Sequence, residues 1–295
     1  MAQFTCPTVG FDLGEQAEMI RLHMKRLSIA LAALLTSGAA VQAQEAPVTD
    51  LTVTEEATTG TSWTLGLGAV AYPDYQGSSD YKGAPLWNVR AQNLYHPDTY
   101  VQLLGPLLTT NLIPDSNFRL GPMAQYIGKR GSVHNNKVDD MQNVDPSVMR
   151  GAIVGCDFQF GQGRALALEF LGRQDAANGN GFLGTFQAVY KAPLGENWRV
   201  AIGPETVWAS DDYMKAYFGV DSADASRSGL DRFNADAGIK DVGLNTVVSY
   251  LINPRWDVTG IALYRRLVGD ADDSPVTHEG SANQWYGGVL FNYHF

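Results

Sequence analysis

Trp285-Tyr286-Gly287-Gly288-Val289-Leu290-Phe291-Asn292-Tyr293-His294-Phe295 reads in steps of two. One set, Gly287, Val289, Phe291, Tyr293 and Phe295, is apolar and rich in aromatics. The alternate set, Tyr286, Gly288, Leu290, Asn292 and His294, is mixed. Two is the period of a strand, whose successive side chains point to opposite faces. A face this apolar needs a packed core or lipid. In lipid, only a closed barrel leaves no strand edge unpaired. The pattern therefore predicts the last strand of an antiparallel transmembrane β-barrel. The competing explanation is the buried last strand of a soluble sandwich.

The other end of the chain favours export. Lys25 and Arg26, the apolar run Leu27 to Leu35 and the small-x-small site Val41-Gln42-Ala43 form a signal peptide over residues 24–43, cleaved after Ala43. Residues 1–23 carry Asp12, Glu15 and Glu18, which do not suit a signal sequence, and are expected to be an upstream extension from a misplaced start. Residues 44–61 are polar, Thr-rich and acidic, and are expected to be a flexible periplasmic lead-in. The barrel is assigned to 62–295. The net charge is −10, and residues 1–43 are balanced, so the exported segment keeps it. An acidic chain is a poor nucleic-acid binder. Beyond Ala43 no apolar run reaches the ~18 residues of a membrane helix, and Cys156 is the one cysteine there.

Alternating segments continue upstream. Over 148–160, Ala152, Val154, Cys156, Phe158 and Phe160 oppose Gly151, Ile153, Gly155, Asp157 and Gln159. Leu166, Leu168 and Phe170 oppose Ala167 and Glu169. Phe182, Phe186, Ala188 and Tyr190 oppose Thr185, Gln187 and Lys191. Trp198, Val200 and Ile202 oppose Arg199, Gly203 and Glu205. Tyr100 to Leu112 reads as one long segment with a bulge or kink at Gly105-Pro106. Tyr213 to Val220 could be a short strand inside the polar stretch 209–236. Eleven strands are clear. Bacterial single-chain barrels have even numbers, so about 12 are expected, with 72–100 and 209–236 the weakest regions.

Short turns (113–117, 161–164, 193–197, 252–255) alternate with longer loops (131–147, 174–180, 209–236, 269–284). In outer-membrane barrels the short turns are periplasmic and the long loops external. The predicted localisation is the bacterial outer membrane. Phe291, Tyr293 and Phe295 then form the C-terminal assembly signal, since a terminal Phe preceded by alternate apolar residues resembles that of outer-membrane proteins.

Particular residues resemble the MipA/OmpV family. They are Gly66-Leu67-Gly68; Pro73-Asp74-Tyr75-Gln76-Gly77-Ser78; Ala216-Tyr217-Phe218-Gly219-Val220; Ser228-Gly229-Leu230; Ala237 to Asp241; and Leu267-Val268-Gly269-Asp270-Ala271 with Asp273-Ser274-Pro275-Val276. The resemblance implies a non-enzymatic scaffold joining a murein lytic transglycosylase to a bifunctional penicillin-binding protein. Its alternative is a porin-like diffusion channel, or an osmotic-response or adhesion protein. Membrane lipid, lipopolysaccharide and the barrel assembly machinery are the other expected partners. No cofactor is implied and no catalytic residue carries over.

Chemistry-bearing residues are sparse. His96, His134, His278 and His294 are scattered. Ser274, His278 and Asp270, Asp272 and Asp273 share one segment expected to be a flexible loop without a nucleophile elbow, so a hydrolase there is disfavoured. The same acids, like Asp139-Asp140 and Asp211-Asp212, lack calcium-loop spacing and read as solvated. Tyr72, Tyr75, Tyr81 and Tyr95 could stack sugars, but fit better in an interfacial aromatic girdle with Trp63, Trp87, Trp198, Trp208, Trp256 and Trp285. Arg90, Arg119, Asp157, Glu169, Lys191, Arg199, Glu205 and Arg265 are predicted on the lumen side, lining a narrow pore or pairing across a plugged interior.

Overall fold

The computed structural model describes residues 60–115 and 117–295. The upstream extension, the signal peptide with Ala43, and nearly all of the lead-in lie outside the described residues. Twelve strands follow in order: β1 Ser62–Pro73, β2 Tyr81–Gln92, β3 Tyr100–Leu104, β4 Leu107–Asn111, β5 Phe118–Ile127, β6 Ser147–Gly161, β7 Arg164–Asp175, β8 Phe182–Leu194, β9 Trp198–Ala209, β10 Gly238–Asn253, β11 Trp256–Leu267 and β12 Asn283–His294. Each pairs antiparallel with the next, and β12 returns to β1 with Thr64 opposite His294 and Ala71 opposite Gly287. The barrel is closed. At this seam the strands approach closely: a Cβ on Gly68 would lie 1.8 Å from the Val289 carbonyl oxygen.

The period-two pattern decides the faces. Leu67, Phe170, Phe186, Val289, Phe291 and Phe295 are exposed on the outer wall, where lipid covers them. Their alternates point inward. Aromatic pairs sit at both rims: Trp198 with Tyr250 and Trp256 with Tyr293 at one, Tyr264 with Trp285 and Phe182 with Trp208 at the other.

Three expectations are corrected. The segment 100–112 is two strands, not one kinked strand. Gly105 adopts φ +50°, and Leu104 pairs with Leu107 across the reversal. This hairpin supplies the twelfth strand, so the shortfall lay in neither region suspected. Residues 211–218 are helical, and only Val220 of the expected strand is paired, in an isolated bridge with Phe233. The loops expected to be loose are folded. They contain short helices: α1 Asn136–Asp139, α2 Asp211–Phe218, α3 Ser222–Ser228, α4 Asp270–Asp273 and α5 Pro275–His278. Local chemistry sets their ends. Asp221 accepts from the Ala223 and Asp224 amides at the start of α3, and Gly229 ends it at φ +71°. Ser274 accepts from the Val276 amide, with Pro275 in the first turn of α5.

The helices pack as a cap on the mouth that carries the long loops. Tyr213, Met214, Tyr217 and Phe218 of α2 are at most 2% exposed and bury against Ile127, Met149, Leu183 and Val207 at the wall's outer end. Burying one such side chain contributes roughly 1.5–3 kcal/mol, enough to hold a loop that composition alone would leave solvated.

Candidate functional site

The lumen is occupied by side chains. Arg265 donates from Nε to Glu205 at 2.6 Å and lies 3.8 Å from Asp241, which pairs with Lys240 at 2.6 Å. Arg119 pairs with Asp157 at 2.7 Å and with Glu169, which accepts from Gln187. Asn245 joins the two groups, donating to Gln187 at 3.3 Å and Glu205 at 3.4 Å. Lys240 donates to Gln76 at 3.2 Å, and Gln76 donates to the Tyr213 hydroxyl at 2.7 Å. A series of ion pairs and hydrogen bonds, with Asp241 joined to it by charge alone, therefore runs from the wall into the cap. Arg173, Arg265 and Lys240 are at most 2% exposed.

Glycines let these pairs form. Arg119 and Glu169 stand on β5 and β7, with Gly155 of β6 in register between them. Glu205 and Arg265 stand on β9 and β11, with Gly243 of β10 between them. A Cβ on Gly155 would meet Arg119 and Glu169 at 3.2 Å, and one on Gly243 would meet Arg265 and Glu205 at 3.1 and 3.3 Å. Asn88 reaches Asn292 over Gly66 in the same way. Each ion or amide pair spans two strands because the middle strand has no side chain there.

Of the lumen residues expected from sequence, all but one belong to this filled interior. Arg90 donates to Gln92 and Gln102 and lies over the Tyr100 ring. The exception is Arg199, at the periplasmic mouth, which donates to the Glu196 and Trp198 carbonyls. Lys240 and Asp241 were missed because both point inward. A register shift between Ile239 and Asp241 breaks the alternation there. Gln76 and Arg130 carry no periodic signal, being in loops.

The family-motif residues converge on the cap. Ser274 Oγ donates to the Phe218 carbonyl at 2.6 Å. Gly77 packs on Thr277, and its carbonyl accepts from Ser281 at 2.7 Å. Tyr75, Leu230 and Val276 share one apolar cluster. Asp270 accepts from the Asp236 amide at 2.7 Å, and Ala271 is fully buried. Ser228 Oγ donates to Asp224 and accepts from Leu230.

Beside these contacts, a cleft of about 890 Å³ opens among loops 128–146, 176–181 and 210–237. Arg130 lines it. Its guanidinium donates to the Tyr217 carbonyl at 2.7 Å and the Gln142 carbonyl at 3.3 Å.

Other candidates resolve differently. Ser274 is wholly buried while His278 is exposed, so the two do not form a nucleophile and base. They sit on a folded segment rather than the flexible loop expected. Tyr72 and Tyr75 are interior, at 4% and 1% exposure, and leave the girdle. Trp63, Tyr81, Trp198, Trp208 and Trp285 are exposed as a girdle requires. His294 lies 3.0 Å from Thr64 Oγ1 and 2.6 Å from Asp257. That series ties β1, β12 and β11 together. Among the described residues, no group of three or more His, Cys, Asp or Glu is placed to hold a metal ion.

Comparison with known proteins places the chain. The family described as MltA-interacting protein MipA matches residues 65–295. Outer membrane protein Omp26La of Vibrio anguillarum is 36% identical over 88 residues, covering 30% of this chain and 33% of that protein. Outer membrane protein OmpV of Vibrio cholerae serotype O1 is 37% identical over 88 residues, with the same shares. The match thus spans about a third of the length of these relatives. Among solved structures, the COG4313 outer membrane channel from Pseudomonas putida F1 aligns at TM-score 0.45 and 13% identity, over 85% of this chain and 100% of that one.

Proposed function

The chain belongs to the MltA-interacting protein MipA family and resides in the outer membrane, and on that premise we propose that it is a non-enzymatic scaffold for murein assembly and remodelling. The observation that carries this is the filled interior: Arg173, Arg265 and Lys240 lie inside the wall at no more than 2% exposure, beneath a packed cap. A conducting pore keeps its charged lining in water. A scaffold needs only a rigid barrel and surfaces for partners. The partners proposed are a murein lytic transglycosylase and a penicillin-binding protein, reached through the periplasmic turns. Lipid and lipopolysaccharide surround the wall, and the assembly machinery recognises Phe291, Tyr293 and Phe295.

A crosslinking pull-down from native envelopes tests this. Recovery of murein synthases or lytic transglycosylases above an unrelated-barrel control is the expected result. Recovery of outer-membrane neighbours alone would sink the scaffold role. The second reading is a porin-like channel, and the outer cleft is what favours it. Planar bilayers separate the two: the intact protein is expected to give no stepwise conductance.

A further inference from the structure

The outer cleft is lined by cations Arg130, Lys215 and Arg232 and acids Asp145, Asp221 and Asp224. Lys215 has Asp211 at 3.9 Å, and two of the acids are engaged elsewhere, which leaves Arg130 and Arg232 as the cations to consider. Asp221 spends its carboxylate on the Ala223 and Asp224 amides at 2.8 and 2.7 Å. Asp224 accepts from the Gln142 amide at 2.6 Å and pairs with Arg227. Arg130 is 4% exposed, makes no ion pair among the described residues, is held by two carbonyls, and leaves Nε without a partner. Burial pulls its pKa down, with Asp224 opposing. A buried cation without a counter-ion is costly until an anion reaches it. Arg232 stands exposed at the rim, also without an ion pair among the described residues. Asn143 and Asn234 add amides that can both donate to and accept from hydroxyls.

We propose that this cleft binds a small monoanionic polyol of the sugar-acid class, its carboxylate received by Arg130 and Arg232 and its hydroxyls by the amide side chains. A planar guanidinium matches a carboxylate. The three acids keep the local charge too close to balance for a dianion such as phosphate. The site faces outward and stands apart from any periplasmic scaffold role.

The test is calorimetric titration of the purified full-length protein in detergent micelles with glucuronate, glucose and inorganic phosphate. Glucuronate is expected to bind with a Kd of about 1 mM or tighter, and glucose about tenfold more weakly. Arg130→Gln should weaken glucuronate binding about tenfold and leave glucose unchanged. If Arg130→Gln fails to fold, Arg232→Gln decides, because that side chain is exposed and supports no packing; a loss of about threefold or more is expected. Four results overturn the proposal: equal binding of glucose and glucuronate, tighter binding of phosphate, no binding of glucuronate, or glucuronate affinity unchanged in the deciding variant.

Discussion

Gly155 and Gly243 show how one missing side chain organises a wall. Each sits between two charged residues that meet across it. Gly243→Ala places a methyl 2.6 Å from the Tyr264 carbonyl oxygen, 3.1 Å from Arg265 and 3.3 Å from Glu205, so the backbone of the neighbouring strand must shift as well as the ion pair. A loss of about 1–3 kcal/mol is expected, read as a lowered urea midpoint in micelles. Arg265→Ala is expected to cost more, about 3–5 kcal/mol, because Glu205 would remain buried without its cation, Asp241 keeping Lys240. A midpoint shift smaller than that of Gly243→Ala would contradict it. Asp74 offers a pH test outside the wall. Burial alone would raise its carboxyl pKa, but hydrogen bonds from Lys82 and His134 hold it below the ordinary value. A depressed folded pKa stabilises the folded loop above the unfolded value of about 3.9, and that contribution is lost as pH falls through the folded pKa. Limited proteolysis of loop 128–146 should therefore stay slow at neutral pH and accelerate only below about pH 4. Acceleration between pH 7 and 5 would place the control elsewhere.

At the scale of elements, the hairpin β3–β4 and the helix α2 depart furthest from the sequence pattern. The hairpin strands have five residues each, and the two-residue reversal at Gly105-Pro106, flanked by leucine pairs, reads in the sequence as a kink within one strand. Pairing on both sides then holds them, Asn88 against Leu104 and Leu107 against Gln125. Helix α2 carries Tyr217 and Phe218 into the cap core at 2% and 0% exposure. Phe218→Ala is expected to remove about 3–5 kcal/mol from the cap's attachment. Added protease should then cut within 210–237 while the barrel itself persists on gels. Loss of the barrel along with the cap would mean that the two fold as one unit.

For the whole molecule, closure and filling are the consequential facts. Twelve strands enclose a space intermediate between small filled barrels and water-filled porins. Long charged side chains and the cap occupy it. Replacing the cap segment 211–229 by a short linker should leave conductance low, since the network from Arg119 to Arg265 lies below it. Large steps from that variant would show that the cap alone seals the mouth.

The barrel and the direction of nearly every wall residue are legible in the alternation of the chain. Alternation is a local property: each strand residue points opposite to its neighbours whatever the partner strand. It also turns Arg119, Glu169, Glu205 and Arg265 inward, and the family motifs are equally local. That those charges pair over Gly155 and Gly243 emerges with the folded wall, because the partners are two strands apart and no local pattern links them. Folding likewise brings Gly77, Phe218 and Ser274 into one cap. Loops have no period, and a buried loop is stabilised by contacts whose partners are distant in the chain.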